Sequence, residues 1–70
     1  MSEVYRFEKN SKETIVASLT TFQGHPLADI RIYVEGSEGE EIPTKKGISV
    51  KVEQLPQLLE AVQALVGAAA

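Results

Sequence analysis

Apolar and polar residues alternate along four segments of the chain, and this pattern predicts four β-strands. Apolar residues recur at alternate positions, as in a strand with one buried face, and β-branched residues favour the second strand. The predicted strands span residues 4–7, 14–22, 27–35 and 48–52. In the third strand, the residues expected to face the core are Ala28, Ile30, Ile32 and Val34.

Turn-forming residues separate the predicted strands. The segment Gln23-Gly24-His25-Pro26 is typical of a tight turn and predicts an antiparallel hairpin between the second and third strands. Residues 36–41 predict a flexible acidic loop, and residues 43–47 a basic loop that leads directly into the fourth strand. The four strands are therefore expected to form one antiparallel sheet.

A helical period follows the last strand and predicts a helix over residues 53–66. Its apolar residues are spaced by three and four and form one stripe: Leu55, Leu58, Leu59, Val62, Leu65 and Val66. Pro56 fits the first turn of this helix. Gly67 predicts the end of the helix, and residues 68–70 are expected to form a frayed tail. Its opposite side carries little charge, so we expect the equivalent helix of a partner chain to cover part of it. The predicted fold is α+β, a single domain over 1–70 with a four-stranded antiparallel sheet and one C-terminal helix.

Composition adds an expectation about assembly. The 70 residues include no cysteine and one histidine, so neither disulfides nor a thiolate metal site can stabilise so small a core. Oligomerisation is the remaining common way to stabilise so small a domain, and we therefore expect a homodimer. No segment predicts a signal peptide or a membrane span, which indicates a protein of the cytoplasm or nucleoid, or of the nucleus in a eukaryotic host.

The candidate catalytic residues do not form a recognisable active site. His25 lies in a turn with no nucleophile paired to it, and Asp29 with Glu35, or the glutamates of residues 35–41, match no calcium-loop spacing. Solvated surface charge explains these carboxylates. We therefore predict no enzyme activity, no metal, no cofactor and no small-molecule substrate.

The side of the sheet opposite the helix offers a candidate binding surface. Alternation places on it Phe22, Arg31, Tyr33, Ser49 and Lys51, with Lys45 and Lys46 at its rim. Aromatic rings beside cations are the features that bind single-stranded nucleic acid without sequence preference. Two observations also allow the alternative that this surface packs against a partner chain and does not bind nucleic acid. The net charge is -3, with seven Lys and Arg against ten Asp and Glu, and both rings could instead pack at a dimer contact.

Three segments carry a family resemblance. Residues 22–33 resemble a turn Phe-Lys-Gly-Lys followed by Asp-Ile-Arg and Tyr; residues 43–50 resemble Pro-Gly-Arg-Lys-Gly-Ile-Ser-Leu; and residues 53–55 resemble Glu-Gln-Trp. These motifs belong to the C-terminal domain of the eukaryotic transcriptional coactivator positive cofactor four. The resemblance extends from Phe22 to Leu58 without a gap. It implies a homodimer that holds single-stranded DNA across the curved sheets of both subunits.

The resemblance also implies which residues bind DNA. Phe22, Arg31 and Lys46 match binding residues of the family, and Lys45 stands where the family has an arginine. The predicted nucleic-acid-binding residues are Phe22, Gln23, His25, Arg31, Tyr33, Lys45, Lys46 and Lys51. Some of the family's contacts are absent, because Gln23, His25 and Ile42 replace lysines and Val34 replaces a stacking tryptophan. We therefore expect weaker binding with a shallower salt dependence than in typical members.

The sequence thus predicts a sequence-nonspecific single-stranded-DNA-binding protein, either coactivator-like in transcription or an accessory of genome maintenance. RNA and components of the transcription machinery are further candidate partners. The alternative is a dimeric protein-protein interaction module of the same fold with a degraded DNA-binding surface.

Overall fold

A computed structural model describes residues 2–70 as one four-stranded sheet followed by a helix. The elements are β1 (Ser2–Glu8), β2 (Glu13–Phe22), β3 (His25–Glu35), β4 (Glu41–Lys51), a 3-10 turn at Val52–Gln54, and α1 (Leu55–Ala69). The strands lie in the order β1-β2-β3-β4, and every neighbouring pair is antiparallel. The predicted four-stranded antiparallel sheet with one C-terminal helix is confirmed.

The hairpin between β2 and β3 turns on two residues. Gln23 and Gly24 both have positive φ angles, 53° and 79°, as a type I′ turn requires. His25 and Pro26, which were predicted in the turn, are instead the first residues of β3, and His25 is paired with Phe22. Proline is tolerated there because pairing of β3 with β4 starts only at Leu27, so no neighbour needs its missing N–H.

The strand β4 begins at Glu41, well before the predicted residue 48, and so includes the segment predicted as a basic loop. Its pairing with β3 is interrupted by a bulge, because Arg31 faces Gly47 whereas Tyr33 faces Pro43. The bulge, residues 44–46, therefore lies opposite Ile32 alone. A bulge breaks the two-residue period, which is why the sequence pattern of this segment indicates a loop.

The sheet has one apolar and one mainly polar face. Residues paired directly across strands point to the same side, and the pairing places these side chains together on the first face: Tyr5, Phe7, Ile15, Ala17, Leu19, Ala28, Ile30, Ile32, Val34, Ile42, Ile48 and Val50. The four apolar residues predicted on one side of β3 do share one face of the sheet. The opposite face carries Arg6, Thr14, Val16, Ser18, Phe22, Asp29, Arg31, Tyr33, Ser49 and Lys51.

The sheet curves toward its polar face. Arg6 of β1 and Glu41 of β4 form a salt bridge of 2.8 Å, although these strands are the two edges of the sheet. In a flat sheet the edge strands would be about 14 Å apart. Arg6 lies in the row of Arg31, whereas Glu41 lies opposite Glu35, four residues further along β3, so their contact requires the sheet to curve. Val16, near the middle of this face, is only 3% exposed although no helix covers it. We call the polar side the concave face and the apolar side the convex face.

The helix differs from its prediction in two respects. The segment 52–54 forms the 3-10 turn, and α1 continues through Gly67 to Ala69, because the alanines after the glycine favour a helix. The helix also does not pack along the sheet of its own chain. The 3-10 turn contacts both β3 and α1, while Leu59, Val62, Leu65 and Val66 remain exposed. No helix in residues 2–70 combines the length and the apolar character needed to cross a bilayer.

The hydrophobic core is small. Among residues 2–70, the only buried hydrophobic side chains are Val16 and Ala28, at 3% and 7% exposure. Several large side chains of the convex face are exposed instead: Tyr5, Phe7, Leu19, Ile42 and Ile48. The sequence analysis placed the helix on one side of the sheet, but α1 does not cover the convex face of its own chain. The convex face and the apolar stripe of α1 are both left uncovered.

Candidate nucleic-acid interface

Most of the predicted binding residues do lie on one face. Phe22, His25, Arg31, Tyr33 and Lys51 share the concave face by their strand pairing. Gln23 lies in the turn at one end of this face, and Lys45 and Lys46 lie in the bulge of β4 at its edge. Two of the four positions that depart from the resemblance, Val34 and Ile42, are paired with each other on the convex face.

Arg31 is held in the middle of the concave face by a hydrogen-bond network. Its Nε and Nη2 donate to the carboxylate of Asp29 at 3.1 and 2.8 Å, and its Nη1 donates to the carbonyl of Thr44 at 2.9 Å. Asp29, only 5% exposed, also accepts a bond of 2.9 Å from the Ser49 hydroxyl. Arg31 retains one N–H on each terminal nitrogen outside this network. It can therefore bind an anion while it holds β3 to β4.

The same network keeps the Asp29 carboxylate charged. Hydrogen bonds from Arg31, and to a lesser extent from Ser49, hold the pKa of Asp29 below its ordinary value, and the carboxylate in turn raises the pKa of Arg31. The charge of Asp29 also cancels much of the charge that Arg31 offers to an anion. Arg31 is thus a geometrically fixed but electrostatically weakened site.

Acid should weaken the fold through Asp29. A carboxyl group whose pKa is lowered by folding stabilises the folded state above its unfolded pKa, and this contribution is lost as the pH falls. We expect the free energy of unfolding to decrease below pH of about 4, as measured by urea denaturation across a pH series. The Asp29→Asn variant should be less stable at pH 7 and less sensitive to acid. An unchanged acid dependence in this variant would contradict the role of Asp29.

The bulge presents two cations to solvent. Thr44 anchors it: the Thr44 hydroxyl donates to the carbonyl of Ile32 at 2.7 Å and accepts from the backbone N–H of Lys46 at 3.2 Å. The side chains of Lys45 and Lys46 are exposed and form no salt bridge with any of residues 2–70. Lys46 also lies within electrostatic range of Glu13 and helps to lower the pKa of that carboxyl. Neither ammonium group is held in an ion pair within residues 2–70, so both are available to an anionic ligand.

The hairpin end adds an aromatic ring. Phe22 is 63% exposed and lies in the last position of β2, on the concave face. Its partner across the turn, His25, is also exposed. Tyr33, toward the other end of the face, is half-buried between its strand partners Thr14 and Pro43. Of the two rings, Phe22 is thus the more accessible to a base.

One cation of this face was absent from the sequence-based set. Arg6 lies in the same cross-strand row as Val16 and Arg31, with Val16 between the two arginines. Its guanidinium is bound to Glu3 and Glu41. The period-two alternation of Tyr5, Arg6 and Phe7 could have placed Arg6 opposite the apolar face. Its ion pair with Glu41 depends on the curvature of the sheet and has no sequence signal.

The carboxylates of Asp29, Glu3 and Glu41 are engaged by arginines rather than grouped around a common point. In the part of the chain from residue 2 to 70, no three His, Asp or Glu side chains form a group that could hold a metal ion. Asp29 lies inside the network with Arg31 and Ser49, and Glu3 and Glu41 both bind Arg6.

A strongly curved sheet of four antiparallel strands, with a polar concave face, a cationic bulge and one C-terminal helix, defines the structural class of this protein. Comparison with known families gives the same class. Residues 9–61 match the family described as Transcriptional Coactivator p15 (PC4). The chain belongs to this family.

Solved structures support the assignment. A PC4 homologue from Burkholderia pseudomallei is similar in two crystal forms. The orthorhombic form has a TM-score of 0.86 and 25% identity and matches over 93% of this chain and 88% of that one. The tetragonal form has a TM-score of 0.81 and 28% identity over 99% and 97%. A bacteriophage T5 homologue of the eukaryotic coactivator, implicated in recombination-dependent DNA replication, shares the fold at a TM-score of 0.78 and 21% identity over 97% and 78%.

Proposed function

We propose that this protein binds single-stranded DNA without sequence preference, as a coactivator-like protein of transcription or an accessory of genome maintenance. The observation that carries the proposal is the concave face, which combines the exposed Phe22 ring, the fixed Arg31 and the exposed Lys45 and Lys46. Stacking on a ring beside cations that contact the backbone suits a single strand of any sequence. The protein would act where its host keeps DNA, in the nucleoid or the nucleus.

The charges of this face favour modest affinity. Asp29 compensates Arg31, and Glu3 and Glu41 compensate Arg6. Gln23 and His25 stand at the turn in place of lysines. The bulge lysines are therefore expected to supply most of the phosphate binding, and the remaining residues to supply orientation and stacking.

Binding should be selective for single strands. We expect the anisotropy of a labelled strand of about 20 nucleotides, long enough for several stacking contacts, to rise with protein at low salt and less so at physiological salt. A duplex of the same sequence should bind more weakly, because its bases are not free to stack on Phe22. The Phe22→Ala variant should lose affinity, and Phe22→Trp should retain it. Absence of binding to either form at low salt would contradict the proposal.

A specific observation favours the second candidate, a dimeric protein-protein interaction module. Val34 and Ile42 replace the family's tryptophan and lysine, and both extend the apolar convex face rather than the concave one. If the protein acts as such a module, the double variant Lys45→Ala with Lys46→Ala will leave the binding of its protein partner unchanged. RNA is a competing ligand for the concave face, and an unlabelled RNA strand added to the DNA complex tests it.

We also propose that the protein is a homodimer, with the partner covering the convex face and the stripe of α1. The support is the large uncovered apolar surface of both elements and the small core of the single chain. The helix extends away from its own sheet in a molecule of 39 × 38 × 18 Å, which leaves both surfaces accessible to a second copy.

Dimerisation should appear as concentration-dependent stability. Because the dimer loses its partner on unfolding, the thermal midpoint should rise with protein concentration. Sedimentation should give twice the chain mass of 7.6 kDa. The substitution Leu65→Lys, which places a charge in the exposed stripe of α1, should shift the population toward monomer and lower the midpoint. A monomer whose midpoint does not depend on concentration would contradict the proposal.

A further inference from the structure

The guanidinium of Arg6 lies on the concave face, and two carboxylates accept hydrogen bonds from four of its five N–H groups. Its Nε and Nη2 donate to Glu3 at 2.9 and 2.7 Å, and its Nη1 and Nη2 donate to Glu41 at 2.8 Å each. Each carboxylate thus occupies one edge of the planar group with two hydrogen bonds. A phosphate binds the same edges in the same forked geometry.

The position of Arg6 places it beside the other cation of this face. Arg6 and Arg31 are the two cross-strand neighbours of Val16, about 10 Å apart across β2. Val16, which lies between the two arginines in this cross-strand row, is only 3% exposed, as expected if the long aliphatic stems of its neighbours lie over it. A strand that passes over Arg31 therefore passes within reach of Arg6.

We propose that Arg6 is an additional phosphate-binding residue of the concave face and that Glu41 is its internal competitor, which a DNA phosphate must replace at the guanidinium. The inference rests on the proposed binding of single-stranded DNA. It makes the salt bridge between the edge strands a strap across the binding surface, closed without DNA and opened by it.

A phosphate can replace Glu41 at the Arg6 guanidinium because this salt bridge is exposed to solvent. The side chains of Arg6 and Glu41 are 43% and 41% exposed, and ion pairs in this environment contribute little net stability. Glu3 is only three residues from Arg6, so this carboxylate can keep the guanidinium oriented after Glu41 has left. Removing the charge of Glu41 should therefore release one edge of Arg6 to the ligand without unfolding the sheet.

The test compares two variants with the same change of net charge. Glu41→Gln removes the competitor. Glu38→Gln, in the loop between β3 and β4, is the matched control, because no residue among 2–70 hydrogen-bonds the exposed Glu38 side chain. Both are titrated with labelled single-stranded DNA over a salt series, alone and combined with Arg6→Gln, after urea midpoints have shown that they are folded.

Glu41→Gln is expected to bind single strands about fivefold more tightly at 0.1 M salt, and to steepen the salt slope by about 0.7, which corresponds to one additional phosphate contact. Glu38→Gln should leave the slope unchanged. In the Arg6→Gln background, Glu41→Gln should have no more effect than Glu38→Gln. If wild-type protein binds DNA and the two glutamate variants have equal effects, the proposed role of Arg6 is overturned and the proposed DNA binding is not. No binding by wild type and Glu41→Gln alike would overturn the proposed function as well.

Discussion

Replacing Gly47 with alanine should lower the free energy of unfolding by about 3 kcal/mol, the combined effect of overpacking and a strained backbone. An added Cβ would meet the carbonyl oxygen of Ile30 and lie 2.8 Å from the Cα of Arg31, where the backbone cannot yield as a side chain could. The φ angle of Gly47 is +159°, which a residue with a side chain rarely adopts. Urea denaturation at a fixed protein concentration measures the loss.

The same substitution elsewhere provides the control. Gly67 lies inside α1, and a Cβ there would have no neighbour within 4 Å. Gly67→Ala should raise the free energy of unfolding by roughly 0.5–1 kcal/mol, because alanine favours a helix more than glycine does. Changes of the same sign in both variants would contradict the proposed close approach at Gly47. Since Gly47 follows Lys46 directly, Gly47→Ala should also displace the bulge and weaken DNA binding.

Replacing both bulge lysines with alanine should reduce the affinity for single-stranded DNA by about 25-fold at 0.1 M salt. Each phosphate contact to a single strand contributes about 0.7 to the slope of log affinity against log salt, or about fivefold at this concentration. Lys45 and Lys46 are exposed and form no salt bridge with any of residues 2–70, so each should contribute about one such contact. The salt slope should fall by about 1.4, as anisotropy titrations over a salt series would show.

A second double variant separates contact from net charge. Lys9→Ala with Lys12→Ala removes the same charge from the turn between β1 and β2, where Lys9 is paired with Glu13 at 3.4 Å. This variant should lose much less affinity and keep most of its slope. If the two double variants weaken binding equally, the bulge is not a specific contact. Stability should change little in either, because all four side chains are exposed.

Local patterns predicted the elements of this fold, and they failed where a long-range contact shapes the backbone. The Gln23-Gly24 turn follows from turn chemistry, and the faces of β2 and β3 follow from alternation. The bulge at 44–46 does not, because it is held by Thr44 bonding to Ile32 and by Arg31 bonding to Thr44, across 12 and 13 residues of sequence. No window of neighbouring residues contains that information.

The residues of the candidate interface also fall into those that the sequence predicts and those that it does not. Alternation and the resemblance together identified Phe22, Arg31 and the bulge lysines, and the pairing of the strands places them around one face. The carboxylates that compensate the arginines could not be assigned in the same way. Asp29 is two residues from Arg31, but Glu41 is 35 residues from Arg6, and their contact requires a curved sheet.

The amino-acid sequence by itself determined the number of strands, the hairpin, the helix and the division into an apolar and a polar face, because each depends on side-chain period and turn residues over a few neighbouring positions. The tertiary structure alone decided the curvature, the bulge, the contacts of Arg6 with Glu41 and of Arg31 with Thr44, and the separation of the helix from its own sheet. These features depend on hydrogen bonds and packing between residues distant in sequence. Such contacts stabilise the backbone only when the whole sheet has formed, so no local sequence pattern predicts them.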